Sequence, residues 1–172
     1  MNFYDVIKQR RSIRDYLPDK KIPDEVLIRI LEAGRIAPSA ANRQPWKIMA
    51  IKDKNLRQRV CESYKGKWLR NAPVILVVVG YREQAWVRPK DRHSSMEVDL
   101  TIAMDHMILA AAAEGIGTCW IMAFDYDILK QVLNLKDNQS VSCITPLGYP
   151  SERSLKEEDS FRKEFDEVVE IV

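Results

Sequence analysis

The chain has 172 residues, 46% hydrophobic and 30% charged. That is close to one typical domain of about 150 residues and is the make-up of a soluble protein able to bury a sizeable core. Its formal net charge of +2 hides a division: residues 1–90 hold 20 Lys/Arg against 9 Asp/Glu, whereas residues 91–172 hold 7 against 16, so one half is suited to facing something anionic. The longest uncharged apolar stretch, Ala72–Val79, falls far short of the roughly 20 residues of a membrane helix, and the charged Met1–Arg14 segment lacks the apolar centre of a secretory signal. A cytoplasmic protein with no membrane partner is expected.

Along the chain, Phe3–Arg10 reads as a short helix carrying apolar Phe3, Val6 and Ile7. Pro23 followed by Asp24 and Glu25 starts a helix, and the fourfold spacing of Val26/Ile30 and Leu27/Leu31 gives it a buried stripe running to about Ile36. Residues 38–45 form a polar loop between two prolines, and Trp46–Ile51 alternates like a strand. Lys54–Tyr64 is a charged amphipathic helix. Pro73–Tyr81 is a nearly continuous β-branched run, the pattern of a strand buried on both faces. Arg82–Ser95 is a charged loop containing Trp86. Met96–Glu114 is the most apolar helix and is expected at the centre of the molecule. Thr118–Met122 reads as a short strand, Asp125–Leu133 as a helix capped by Asp125, and Ser140–Gly148 as another strand. Tyr149–Lys163 is a polar arm, after which Phe165–Val172 is again strand-like with no sheet nearby, so another subunit is a natural place for it. Helices and strands mix without βαβ alternation. The expected fold is therefore α+β, a central mixed or antiparallel sheet covered by helices, in one domain over residues 1–172.

Cys61, Cys119 and Cys143 form no C-x-x-C pair and are expected to be reduced and buried; His93 and His106 have no partner at ligand spacing, so no metal site is expected. Glycine is scarce, with six in all, and Gly115-Ile116-Gly117 is the one G-x-G; it closes a helix instead of opening one. A glycine-rich phosphate loop is thereby excluded. If the protein holds a phosphate, side chains must do it, and arginine is the natural choice.

Arg10-Arg11-Ser12-Ile13-Arg14 puts three guanidinium groups and a hydroxyl within five residues. Read alone, it is either a solvated basic patch or a clamp for an anion that relieves the mutual repulsion. Ser39, Asn42 and Gln44 offer donors and acceptors between Pro38 and Pro45, read either as an ordinary polar turn or as a reader of a flat heterocycle. Asp99 and His106 lie seven apart on one face of the central helix, with Asp105 elsewhere; they read as interface or helix-end polar groups in preference to acid–base catalysts. Tyr81 and Trp86 read as loop anchors or, alternatively, an aromatic lid.

The R-R-S-x-R run at Arg10–Arg14, the A-P-S-A-x-N-x-Q-P-W loop at Ala37–Trp46 and G-I-G-T-C-W-I at Gly115–Ile121 resemble the nitroreductase family of FMN-dependent oxidoreductases. P-L-G-Y-P at Pro146–Pro150 and Arg162-Lys163 before the last segment continue the likeness, in the family's order, nearly end to end. The resemblance implies an α+β homodimer with FMN in the subunit interface and a C-terminal arm and strand, residues 150–172, exchanged with the partner. It implies that Arg10, Arg11, Ser12 and Arg14 contact the phosphate, ribityl and pyrimidine groups, Arg14 near the flavin N1–O2 edge. Pro38, Ser39, Ala40 and Asn42, with Gln44, match the loop lining the flavin from the other subunit. Gly117 and Thr118 match the segment passing one flavin face, and Arg162, or Lys163 beside it, a residue closing on the phosphate. The implied activity is ping-pong transfer of reducing equivalents from NADH or NADPH to a small acceptor: a nitroaromatic, quinone or enone. The alternatives are a reductive dehalogenase or flavin-degrading relative, and a flavin-binding protein without turnover. A nucleic-acid binder is disfavoured because the positive charges are scattered and no aromatic stripe accompanies them. No side chain is singled out as catalytic.

Overall fold

A computed structural model describes residues 2–155 and 161–172. In chain order the elements are α1 (Phe3–Gln9), α2 (Asp24–Arg35), β1 (Trp46–Ile51), α3 (Lys54–Glu62), β2 (Val74–Tyr81), α4 (Met96–Ala113), α5 (Tyr126–Leu133), β3 (Gln139–Leu147), α6 (Glu152–Leu155) and α7 (Phe165–Val168), with single 3-10 turns at Ala40–Asn42 and Lys67–Asn71. Local chemistry sets the helix starts. Asn2 and Asp5 close a capping box on α1, Asp53 Oδ1 accepts from Leu56 N–H at 2.7 Å, and Asp125 Oδ1 from Ile128 N–H at 3.1 Å.

The α+β class is as expected, and the sheet is antiparallel with order β1-β2-β3. The continuous apolar run of β2 divides by its period of two. Val74, Leu76 and Val78 turn to α2 and α4, while Ile75, Val77 and Val79 turn to the core beneath α3 and α5. Each such fully buried side chain contributes about 1.5–3 kcal/mol, so this strand joins the two halves of the core. α4 buries Met96, Leu100, Ala103, Met104, Met107, Ile108 and Ala111 and leaves Val98, Thr101 and Asp105 exposed. It therefore lies against the sheet with one face open. Gly115, at φ 72°, ends it: Ile116 N–H turns back to Ala111 O at 2.8 Å.

Two expected strands are corrected. Residues 117–121 run antiparallel to the end of β3, with bridges at Gly117–Gly148 and Ile121–Ile144. The register between these bridges sets Cys119 opposite Pro146, which has no N–H to donate. The Thr145 hydroxyl substitutes, donating to Cys119 O at 2.9 Å and accepting from Cys119 N–H at 3.3 Å. The ladder is broken there, and isolated bridges replace a strand. Phe165–Val172 is the second correction. Glu164 and Glu167 cap one another, Glu164 N–H reaching Glu167 Oε2 at 3.0 Å, and set a single helical turn over Phe165–Val168 before the chain extends. Of the polar arm, residues 156–160 lie outside the described residues.

Candidate functional site

α1 ends at Arg10, whose N–H closes the helix on Val6 O at 2.9 Å while its own backbone turns extended. The run that follows is pinned to the core. Ile13 is buried and its N–H donates to Thr118 O at 2.7 Å, Ser12 and Thr118 form a parallel bridge, and Tyr16 bridges to Pro150. Gly117 makes this approach possible, because a Cβ there would lie 2.9 Å from Cβ, Cγ1 and Cγ2 of Ile13. A β-branched neighbour cannot rotate its own Cβ aside. The result is a cavity of about 610 Å³ lined by Arg10 and Arg11 together with Gly115, Gly117, Thr118 and Leu155. Arg11 Nη2 also donates to Leu155 O at 2.6 Å, tying the run to α6.

Tyr16 lies beneath the run, 2% exposed, with its hydroxyl on Ile13 O at 2.5 Å. Burial raises its phenol far above the usual range; the Cys119 thiol adds to this and Arg14 opposes it. Tyr16 therefore keeps its proton and serves as a strut. The three cysteines are buried and unpaired, as expected; burial pushes the Cys143 thiol up to about 12 and raises that of Cys61. Among the described residues no group of three His, Cys, Asp or Glu is arranged to hold a metal ion.

The loop after α2 is the second feature. Ala41, Asn42 and Gln44 all take left-handed backbone, at φ 51°, 52° and 48°, without a glycine among them. Such conformations cost about 1–2 kcal/mol per residue, so the surroundings must hold them. Ser39 Oγ accepts from Gln44 N–H at 2.9 Å, Asn42 N–H reaches Ser39 O at 2.9 Å and Arg43 N–H reaches Ala40 O at 3.1 Å. Gln44 Nε2 adds bonds to Asn42 O at 3.2 Å and Oδ1 at 3.1 Å. From α4, the Asp99 carboxylate, 1% exposed, accepts from Ala40 N–H at 2.9 Å and from the Ser95 hydroxyl at 2.7 Å.

Among the described residues these groups fall around three different cavities of one chain. Arg10, Arg11, Gly117 and Thr118 line the first, and Ser12 is held beside them by its bridge. Pro38, Ser39 and Ala40 line a second, of about 350 Å³, with Trp86, Arg88, His93 and Asp99. Gln44 faces a third, of about 480 Å³, beside Trp46 and Ile48, while Asn42 is exposed on the strained turn. Arg14 is exposed, and Arg162, also exposed, donates from Nη1 to Phe161 O at 3.0 Å. Asp99 is the residue whose role the sequence reading missed. A carboxylate within the Met96–Leu100–Ala103 buried stripe was the available signal, since an acid there must find donors.

The sequence model of the Nitroreductase family matches residues 7–68 and 60–149. A protein of Archaeoglobus fulgidus with the provisional name NADH dehydrogenase/NAD(P)H nitroreductase is 32% identical, over 86% of this chain and 84% of its own. A nitroreductase family protein from Clostridium difficile 630 has a similar structure, with TM-score 0.88 and 31% identity over 99% of this chain and 98% of that one. The FMN-dependent nitroreductase of Clostridium difficile R20291 follows, with TM-score 0.77 and 27% identity over 96% of each chain. Two matched segments that span most of the chain, and a relative above 30% identity along nearly its whole length, settle the family. The chain belongs to the nitroreductase family.

Proposed function

We propose that the protein is a cytoplasmic homodimeric FMN-dependent oxidoreductase, one domain over residues 1–172, that passes reducing equivalents from NADH or NADPH to a small electrophilic acceptor such as a nitroaromatic, quinone or enone. The observation that carries this reading is the meeting of Arg10 and Arg11 with the Gly117–Thr118 segment around one cavity of about 610 Å³. Guanidinium groups on one side and glycine-bearing backbone on the other fit a phosphate joined to a flat ring. Arg10 and Arg11 would hold the phosphate, Ser12 the ribityl chain and Arg14 the N1–O2 edge, with Arg162 or Lys163 closing from the arm. Pro38, Ser39, Ala40, Asn42 and Gln44 would line the ring from the second subunit.

Bound FMN supplies acceptance of reducing equivalents from the nicotinamide and their delivery to the acceptor. This chain supplies binding, orientation and field. A guanidinium fixed at the pyrimidine edge favours negative charge there. No side chain is assigned a proton-transfer role, since Tyr16 is bonded to Ile13 O and kept protonated by burial. Donor and acceptor bind in turn at one place, which gives ping-pong kinetics.

The dimer is supported by what one chain leaves uncovered. Residues 161–172 are exposed throughout, Phe161 at 84% and Ile171 at 88%, and Phe3 and Tyr4 of α1 are exposed as well. Apolar surface of that kind marks an interface, and a second copy of the chain is the simplest occupant. Purified protein should be yellow, with flavin absorbance that NADH or NADPH bleaches in the absence of oxygen. A colourless protein that FMN cannot reconstitute overturns the proposal, and a yellow one that neither nucleotide bleaches is a flavin-binding protein without turnover. Arg14→Ala should markedly lower flavin retention; full occupancy would remove Arg14 from the site.

A further inference from the structure

Residues 82–95 read in sequence as an irregular charged loop, yet residues 86–95 fold as a small hairpin. Val87 and Ser94 form an antiparallel bridge, Arg88 N–H donates to His93 O at 2.9 Å, and Ser95 N–H to Trp86 O at 2.9 Å. Arg92 N–H closes the tip on Arg88 O at 3.0 Å. Asp91 Oδ1 steadies the tip, accepting from His93 N–H at 3.2 Å and pairing with Arg88 Nε at 2.9 Å. Through Ser95 the hairpin is tied to Asp99, the same carboxylate that holds Ala40. Trp86, Arg88 and His93 are thereby set around the cavity of Pro38–Ala40, whose other wall includes Val98 and Ile102. The hairpin carries Arg88, Lys90 and Arg92 against Asp91 alone.

Of these cations Arg88 lines the cavity, and the Asp99 carboxylate there is already occupied by Ala40 N–H and the Ser95 hydroxyl; an apolar wall with one guanidinium suits a ligand that is flat at one end and anionic at the other. The Arg88–Asp91 pair is a weak competitor, because its side chains are 51% and 55% exposed and solvent screens such pairs. We propose that this hairpin determines ligand specificity, with Arg88 taking the carboxylate or phosphate of a planar ligand while Trp86 lies against its flat part. The identity of that ligand rests on the oxidoreductase reading: an anionic aromatic acceptor, or NADPH presenting its 2′-phosphate.

Calorimetric titration of the FMN-supplemented protein, without turnover, tests the proposal with two matched pairs: 4-nitrobenzoate against 4-nitrobenzyl alcohol, and adenosine 2′,5′-bisphosphate against 5′-AMP. At least one pair should favour the member with the additional anionic group. Arg88→Ala should weaken that member by about tenfold, as expected for a charge-assisted bond, and leave the other within about twofold. Asp91→Asn, which releases Arg88, should strengthen it. A preference confined to the first pair assigns Arg88 to the acceptor, and one confined to the second assigns it to the donor. Absence of any preference in the wild type, or a preference that survives Arg88→Ala, overturns the proposal. Because binding alone is read, an enzyme that failed to oxidise NAD(P)H would refute the proposed function and leave this result standing.

Discussion

Asp99→Ala is the sharpest test of how the candidate site is held. Its carboxylate makes two charge-assisted bonds, to Ala40 N–H at 2.9 Å and to the Ser95 hydroxyl at 2.7 Å, together worth about 3 kcal/mol at the lower end for such bonds. The loop has the five further bonds named above, at about 1 kcal/mol each. Against these stand three left-handed residues at about 1–2 kcal/mol apiece, or about 3–6 kcal/mol of strain. With Asp99 the bonds outweigh the strain; without it the two nearly balance and the loop opens. Because opening releases strain, global stability should fall by only about 1–2 kcal/mol, or about 2–8 °C in Tm for a chain of this size. The local loss is larger. Amide exchange protection at Asn42, Arg43 and Gln44 should drop by about a hundredfold, the equivalent of the 3 kcal/mol removed. Asp99→Asn, which keeps the shape and loses the charge, should fall between. Unchanged protection across residues 42–44 in a folded Asp99→Ala protein would refute the reasoning.

Gly117→Ala should cost about 1–3 kcal/mol through the clash with the Ile13 side chain at 2.9 Å and loosen the arginine run; thermal unfolding measures this, and if the clash is the cause the double variant with Ile13→Ala should lose less than the sum of the two single losses. Deleting residues 161–172 should leave a folded subunit whose dimer dissociates more readily in sedimentation, and a truncated protein that dimerises as tightly as the full chain would remove the C-terminal segment from the interface. Stability should decline on the alkaline side. The folded Cys143 pKa of about 12 lies above the ordinary thiol value, so its stabilisation is whole below about pH 9 and is lost between about 9 and 12, at about 1.4 kcal/mol per pH unit. Buried Tyr16 and Cys61 shift in the same direction. Urea titrations from pH 8 to 11 that show no decline would refute the burial argument.

The elements legible in the sequence are those whose signal is local and whose partner lies in the same chain. α2, α4, β1 and β2 are of this kind: the buried residues of α2 and α4 recur at helical spacing, β2 is buried along nearly its whole length, and β1 forms where its strand was expected although its burial does not alternate. Thr118–Met122 failed because strand propensity there was genuine, but the partner position held Pro146, a residue 27 places away whose missing N–H broke the ladder. Phe165–Val172 failed for the opposite reason: with no strand beside it in this chain, the reciprocal capping of Glu164 and Glu167 decided the local shape. The geometry of the Arg10–Arg14 run and of the Pro38–Gln44 loop was not legible in the sequence. Asn42 is of a type that tolerates left-handed backbone, but nothing in Ala41 or Gln44 announces it, since that conformation normally calls on glycine. The 86–95 hairpin was hidden because its Pro-Lys-Asp-Arg tip lacks the Asn-Gly or Asp-Gly signature of tight hairpins.

The separation of the loop cavity from the arginine cavity within one chain has a simple cause in α4. The loop cavity is built on the N-terminal end of that helix, at Val98, Asp99 and Ile102, and the arginine cavity on its C-terminal end, at Ala112 and the exit through Gly115 to Thr118. Ten residues separate Ile102 from Ala112, and at 1.5 Å per residue that is about 15 Å along a rigid rod. No rearrangement of loops brings the two together while α4 stays helical, and its buried stripe of Leu100, Met104, Met107 and Ile108 keeps it so. A two-fold axis perpendicular to the helix removes the difficulty, because it lays two copies of α4 antiparallel and sets the Asp99 end of one beside the Gly115 end of the other. The face that such packing requires is the one carrying Val98, Thr101 and Asp105, which this chain leaves exposed. In the proposed dimer the length of one helix thus accounts for two composite sites, each with its arginine run from one subunit and its strained loop from the other.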